Sequence, residues 1–204
     1  MSMIVNRRDL DFVLYETLDL ERILESERYA DYDRESLDAM MDLCQTIAED
    51  QFLPCAAKLD ANEPQFVDGK VETISELKEA IGAYQEAGLC ASAYDLDVGG
   101  MQLPWMMDQA LNGMFVCANN PAHIYLFLTQ GVANMLNACG SDELKRKYLP
   151  NLVDGNWFGT MCLSEPQAGS SLADIRTKAD LNTDGSYSIS GTKMWISGGE
   201  QDIT

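Results

Sequence analysis

Apolar residues recur at helical spacing through the first part of this chain and at a spacing of two near its end. Residues 9–26 set Leu10, Val13, Leu14, Leu18, Leu20 and Leu24 among many acids, which predicts a short helix. Asp31 or Asp33 can cap a clearer helix with the stripe Leu37, Met40/Met41, Cys44, Ile47/Ala48 and Phe52. Pro54 and the stretch Asn62 to Gly69 predict a loop. A third helix follows over Val71 to Ala87, closed by Gly88. Leu89 to Pro104 reads as a loop around the Gly99-Gly100 pair. Two helices come next, Pro104–Ala118 and Ala122–Ala138, apolar most of the way round and so suited to the middle of a bundle. Ser141 caps another, with Asp142 and Glu143 at its positive end and Lys145, Arg146 and Lys147 further along, and Pro150 is expected to stop it.

After Gly155 the period changes. Trp157 to Leu163 is an apolar run that reads as a strand. Ser164 to Ser171 is a turn-rich loop of small and hydroxyl residues. The polar turn Asn182-Thr183-Asp184-Gly185 then separates two alternating segments, as in a hairpin. Tyr187-Ser188-Ile189-Ser190 and Met194-Trp195-Ile196-Ser197 alternate. Residues two apart in a strand share a face, so Trp195 and Ser197 can address one ligand, by stacking and by a hydrogen bond. Helices first and strands afterwards imply segregated layers: an α+β fold, not an alternating parallel sheet.

Charge narrows the partners. The 204 residues include 33 acids against 14 bases, a net −19, which disfavours nucleic acid and anionic membrane surfaces. The six cysteines show no Cys-x-x-Cys spacing and mostly sit in apolar stretches. They read as buried free thiols in a reducing, cytoplasmic setting. A single histidine, His123, at the start of an apolar helix, fits a core or capping role. No metal site is expected, because the ligands for one are not clustered. With no Gly-x-Gly-x-x-Gly or P-loop, a nicotinamide or nucleoside-triphosphate enzyme is disfavoured.

SEPQAGSS from Ser164 to Ser171, followed by KMWIS from Lys193 to Ser197, resembles the flavin-binding signature of the acyl-CoA dehydrogenases. That signature usually runs Thr-Glu-Pro-x-Ala-Gly-Ser-Asp and then Trp-Ile-Thr/Ser. Here Ser164 and Ser197 replace the commoner threonines, and Ser171 stands where Asp is usual. The lead-in GSDELKRKYLPNLVDGNW is similar too, and the likeness covers Leu89 to Thr204 closely and Asp33 to Gly88 more loosely. Arg7-Arg8-Asp9-Leu10-Asp11-Phe12-Val13-Leu14-Tyr15-Glu16 resembles the N-terminal extension of a subfamily that includes methylthiopropionyl-CoA dehydrogenases.

The resemblance implies an N-terminal extension (1–32), a helical domain (33–156) and the first strands of a middle β-domain (157–204). Thr204 is then expected to fall inside a domain, with further β-structure and a four-helix domain beyond it. FAD is the implied cofactor and acyl-CoA the substrate, with electrons leaving to an electron-transferring flavoprotein from a homo-oligomer. Met161, Leu163 and Ser164 would line the flavin's pyrimidine edge. Trp195 would lie on the isoalloxazine and Ser197 would reach N5. Gly169 lets backbone amides approach closely, and Ser170 would face the pyrophosphate or the CoA arm. Glu165 occupies a structural position, and the family's catalytic glutamate lies beyond Thr204, so no catalytic residue is expected within the chain. The alternatives are an acyl-CoA oxidase on the same scaffold or a non-catalytic acyl-CoA-binding module. Met101, Met106, Met107 and Met114 read as core packing, with an acyl-pocket lining as the other reading.

Overall fold

A computed structural model of the chain describes residue 2 and residues 4–200. Gln201 to Thr204, the end of the stretch expected to open the middle β-domain, lie outside the described residues. The helices are α1 (Arg7–Asp11), α2 (Leu20–Leu24), α3 (Arg34–Ile47), α4 (Leu53–Ala61), α5 (Ser75–Glu86), α6 (Trp105–Cys139) and α7 (Asp142–Val153). Two antiparallel hairpins complete the described structure: β1 (Gln65–Val67) with β2 (Lys70–Glu72), and β3 (Lys178–Leu181) with β4 (Tyr187–Ser190). The fold is therefore α+β, a helical bundle followed by the start of a β-region.

Local signals explain the helix ends. The Asp33 carboxylate accepts from Ser36 N at 2.8 Å while Ser36 Oγ accepts from Asp33 N at 3.0 Å, so both orphan donors are satisfied. Ser141 Oγ accepts from Leu144 N at 3.3 Å. Gly88 ends α5 in the left-handed conformation at φ 72°, which a side chain would resist.

Proline set fewer boundaries than its chemistry predicts. Pro54 does not open a loop, because it sits in the first turn of α4, where a missing N–H costs little. The π-helical turn Ala48–Phe52 joins α3 to α4 without a break. Pro150 does not stop α7, which runs on to Val153. An interior proline costs about 3 kcal/mol. Burying Leu149, Leu152 and Val153, each at 3 % exposure or less, returns about 1.5–3 kcal/mol apiece and outweighs it. Pro121 does mark a break. The two predicted helices are one, α6, kinked at Asn119 (φ −162°, ψ 87°). Asn119 Oδ1 accepts from Ala122 N at 3.1 Å and so caps the second half, while its Nδ2 donates to Phe52 O at 3.1 Å. The loop expected over 62–69 holds the first strand of the β1–β2 hairpin instead. Its Asp68-Gly69 turn places both residues at positive φ, the geometry of a tight two-residue turn.

The core lies where α3, α4, α5 and α6 meet. Phe115 packs edge-on against Phe52 and Tyr84, with ring centroids 4.9 and 4.8 Å away. Met107 and Met114 are fully buried, and Met101 and Met106 pack at its margin, so the methionines are core residues. Leu14 and Leu20 anchor the start of the chain, where the single helix predicted over 9–26 is broken into short turns. Tyr32 OH reaches Met101 O, and Gln102 Nε2 donates to Arg28 O at 2.7 Å, tying residues 28–32 to the 89–103 loop. Gly100 is required in that loop, since a Cβ there would lie 1.9 Å from Tyr94 O. Not every thiol is interior: Cys44 and Cys55 are buried, but Cys117 and Cys139 are exposed, because one flank of α6 stays uncovered among the described residues.

His123 is a core residue, 2 % exposed, with Nε2 3.0 Å from Asn112 Oδ1. Tyr84 OH donates to the same oxygen at 3.1 Å. Burial pushes the imidazole down to about 4, so it is neutral at pH 7. The unfolded chain therefore binds the extra proton between the two pKa values, and folding stability falls as pH drops from about 6.5 toward 4. Urea denaturation across that window should show a decline of up to about 3 kcal/mol, and His123→Gln should flatten it. An unchanged slope in the variant would contradict the assignment.

Candidate functional site

The site begins where the chain, having left α7, packs back against α6. Gly159 lies against Val132 so closely that a Cβ would meet it at 2.7 Å, and Gly159 N donates to Thr129 Oγ1 at 3.1 Å. Trp157 to Leu163, which contains this contact, forms no strand and has only an isolated bridge position at Gly159 among the described residues. An extended segment becomes a strand only when neighbours take its N–H and C=O groups.

The loop that follows is closed on itself. Glu165 N donates to Ala168 O at 2.8 Å and Ala168 N to Glu165 O at 3.0 Å, with Pro166-Gln167 at the tip. The Glu165 side chain turns inward and is buried. Its Oε2 accepts from Gln167 Nε2 at 2.7 Å and Arg176 N at 2.8 Å. Its Oε1 accepts from Thr177 N and from Lys193 Nζ, both at 2.9 Å. The nearby Thr177 hydroxyl, the Arg176 amide and the Lys193 ammonium hold this carboxyl well below the usual carboxylate range. The Thr177 hydroxyl acts by proximity, since it makes no hydrogen bond, and the hydrogen bonds themselves come from four N–H donors.

The second motif is drawn onto the first. Met194 N donates to Ser164 O at 2.9 Å, Lys193 Nζ donates to Leu163 O at 3.1 Å, and Thr160 Oγ1 reaches Ser197 O. Tyr125 OH of α6 donates to Glu200 Oε1 at 3.0 Å. These contacts bring Met161, Leu163 and Ser164 beside the Trp195 segment. They do not do so for Gly169 and Ser170, which lie exposed on the far arm of the loop.

The hairpin turn at 182–185 forms as expected, with Ala179 opposite Ile189 and Leu181 opposite Tyr187. Met194 to Ser197 does not continue as a strand. Trp195 takes the left-handed conformation at φ 61°, so Trp195 and Ser197 do not share a strand face. A bulky residue there carries about 1–2 kcal/mol of strain, held by the hydrogen bonds on either side. Trp195 is 84 % exposed, Met161 52 % and Leu163 44 %, an apolar surface with polar groups at its edge. An aromatic ring system with a hydrogen-bonding rim fits that combination.

Lys193, Thr160, Tyr125 and the donors on Glu165 escaped the sequence reading. Of these only Lys193 left a trace, as a base two residues before Trp195 in an otherwise uncharged stretch.

Residues 34–156 match the family model for the acyl-CoA dehydrogenase N-terminal domain. The chain belongs to the acyl-CoA dehydrogenase family. It is 31 % identical over 203 residues to a butyryl-CoA dehydrogenase of Syntrophomonas wolfei, covering 96 % of this chain and 33 % of the relative. It is 29 % identical over 197 residues to the 3-methylmercaptopropionyl-CoA dehydrogenase of Ruegeria pomeroyi, covering 97 % and 34 %. This acyl-CoA dehydrogenase family chain thus spans about a third of the length of these curated relatives. Its fold is shared with an acyl-CoA dehydrogenase from Bacillus anthracis solved in complex with FAD. That match has a TM-score of 0.68 at 24 % identity and covers 84 % of this chain and 28 % of that one. No helix among the described residues is long and apolar enough to cross a membrane.

Glu165→Gln replaces two acceptor oxygens by one and turns an NH₂ toward N–H donors. Hydrogen exchange at the Arg176 and Thr177 amides should rise about tenfold, one charge-assisted hydrogen bond's worth. In the unaltered protein their protection should hold above the ordinary glutamate pKa of about 4.3 and fade on acidification below it. Equal exchange in variant and wild type would remove the anchoring role.

Proposed function

We propose that this chain is the N-terminal part of an FAD-dependent acyl-CoA dehydrogenase oxidising an acyl-CoA thioester to the trans-2-enoyl-CoA. The observation carrying the reading is the pairing of the two motifs, which leaves Trp195, Met161 and Leu163 exposed beside the Ser164 backbone. Met161, Leu163 and Ser164 would hold the pyrimidine edge, Trp195 the ring face and Ser197 N5. Gly169 and Ser170 would face the pyrophosphate or the CoA arm. Bound there, FAD supplies the hydride acceptor for the β-carbon. The chain's own residues bind and orient the ring. Glu165 does not serve as the base, because four donors occupy its oxygens and depress its proton affinity. The base belongs to a glutamate outside these residues.

The same reading divides the chain into 1–32, 33–156 and 157–204, supported by the family match over 34–156. It places the protein in the cytoplasm as a homo-oligomer that passes electrons to an electron-transferring flavoprotein. The names of the butyryl- and 3-methylmercaptopropionyl-CoA dehydrogenase relatives support a short acyl substrate.

In the full-length protein, Trp195→Ala and Ser197→Ala should each weaken flavin binding or slow flavin reduction by acyl-CoA about tenfold, the scale of one lost stacking or hydrogen-bond contact. The checks are the visible flavin absorbance per chain and anaerobic stopped-flow reduction. Flavin content and reduction unchanged in both variants would overturn the site.

A further inference from the structure

We propose that Lys193 is a positioning residue of this flavin site, one ammonium that sets the spacing of the two motifs and strengthens the Ser164 amide as a donor. The inference rests on the flavin reading above. Lys193 Nζ touches both sides of Ser164: Leu163 O at 3.1 Å and Glu165 Oε1 at 2.9 Å. Its side chain is 19 % exposed and that of Glu165 is 2 % exposed, so the pair is largely withdrawn from water.

A purely structural ion pair does not explain the arrangement. Glu165 already accepts three hydrogen bonds from Gln167 Nε2, Arg176 N and Thr177 N. What Lys193 adds is charge and a second reach. Its charge neutralises a buried carboxylate that would otherwise stand alone beside the ligand surface. Its bond to Leu163 O polarises the peptide that Leu163 shares with Ser164, and a peptide whose carbonyl accepts from an ammonium offers a stronger N–H. No other group among the described residues takes that N–H. The next residue completes the clasp, since Met194 N holds Ser164 O at 2.9 Å. Consecutive residues of the Trp195 segment therefore fix the carbonyls on both sides of the Ser164 N–H, and Trp195 follows directly.

The test uses the full-length protein with FAD as the probe and compares Lys193→Met with Lys193→Arg. Lys193→Met should raise the FAD dissociation constant about tenfold, as expected for one charge-assisted hydrogen bond. It should also shift the visible flavin band, with the far-UV circular dichroism unchanged. Lys193→Arg, which keeps the charge and the donors, should recover most of the affinity and the wild-type band. If Lys193→Met does not fold, Lys193→Gln carries the comparison and should show the same shift relative to Arg. Wild-type affinity and spectrum in the uncharged variant would overturn the inference alone, as would an Arg variant no better than Met. A wild-type protein that takes up no FAD would overturn the flavin reading together with it.

Discussion

The buried Glu165 carboxylate is the constraint on which the second half of this molecule depends. Removing a carboxylate from water without partners costs several kcal/mol, and a chain with 33 acids could easily have left this one in solvent. Instead each oxygen receives two N–H donors, drawn from the loop itself, the approach to β3 and the segment leading to Trp195. Those three stretches are separate in sequence. One anion satisfied by all of them fixes their mutual distances more tightly than apolar contact would, because hydrogen bonds lose strength steeply with misalignment.

The helical half works by different means. Its long helix α6 carries one charged residue, Asp108, and that residue is buried and partnered by Ser92 Oγ, Gln109 and Asn112. The rest of the inner face is close-packed against Phe52, Tyr84 and the α3 stripe. The same helix then offers Thr129 and Val132 to Gly159, so the core's rigidity is handed to the start of the site through a contact that only glycine permits. Tyr125, one turn earlier, reaches the far end of the site at Glu200. The helical bundle is thus the platform, and the polar clasp sets what stands on it.

Sequence foretold the features that depend on a few neighbouring residues. The Asp33 and Ser141 caps, the Gly88 helix end, the break before Pro121 and the turn at 182–185 each follow from local chemistry, and each is present. Proline removes a donor and so predicts a stop, yet Pro54 falls in the first turn of α4, where the loss costs little, and at Pro150 three buried side chains outweigh it. Met194 to Ser197 alternates, which predicts a strand. Alternation says which side chains could share a face, whereas forming the strand needs a partner for each backbone group. The backbone of Met194 is spent on Ser164 O, and Trp195 turns left-handed instead. The two motifs name the residues of the candidate site; what joins them is not legible in sequence, since Lys193 and Thr160 act across a fold that no local pattern encodes.

The contrast in exposure shows which forces set the site's geometry. In the helical half the large apolar side chains are mostly buried, whereas Met161, Leu163, Leu181, Tyr187, Ile189 and Trp195 are all exposed. Apolar packing within the described residues therefore cannot be what orients Trp195 or Ser197. Hydrogen bonds and one ion pair orient them, and such contacts respond to the loss of a charge far more than to the loss of a methyl group. At Ser164 and Ser197, where threonine is commoner in the signature, the backbone carbonyls and not the side chains make the connecting bonds. The charged residues within the motifs carry a different weight, since Lys193 spans Leu163 O and Glu165 Oε1 and so ties the second motif to the first.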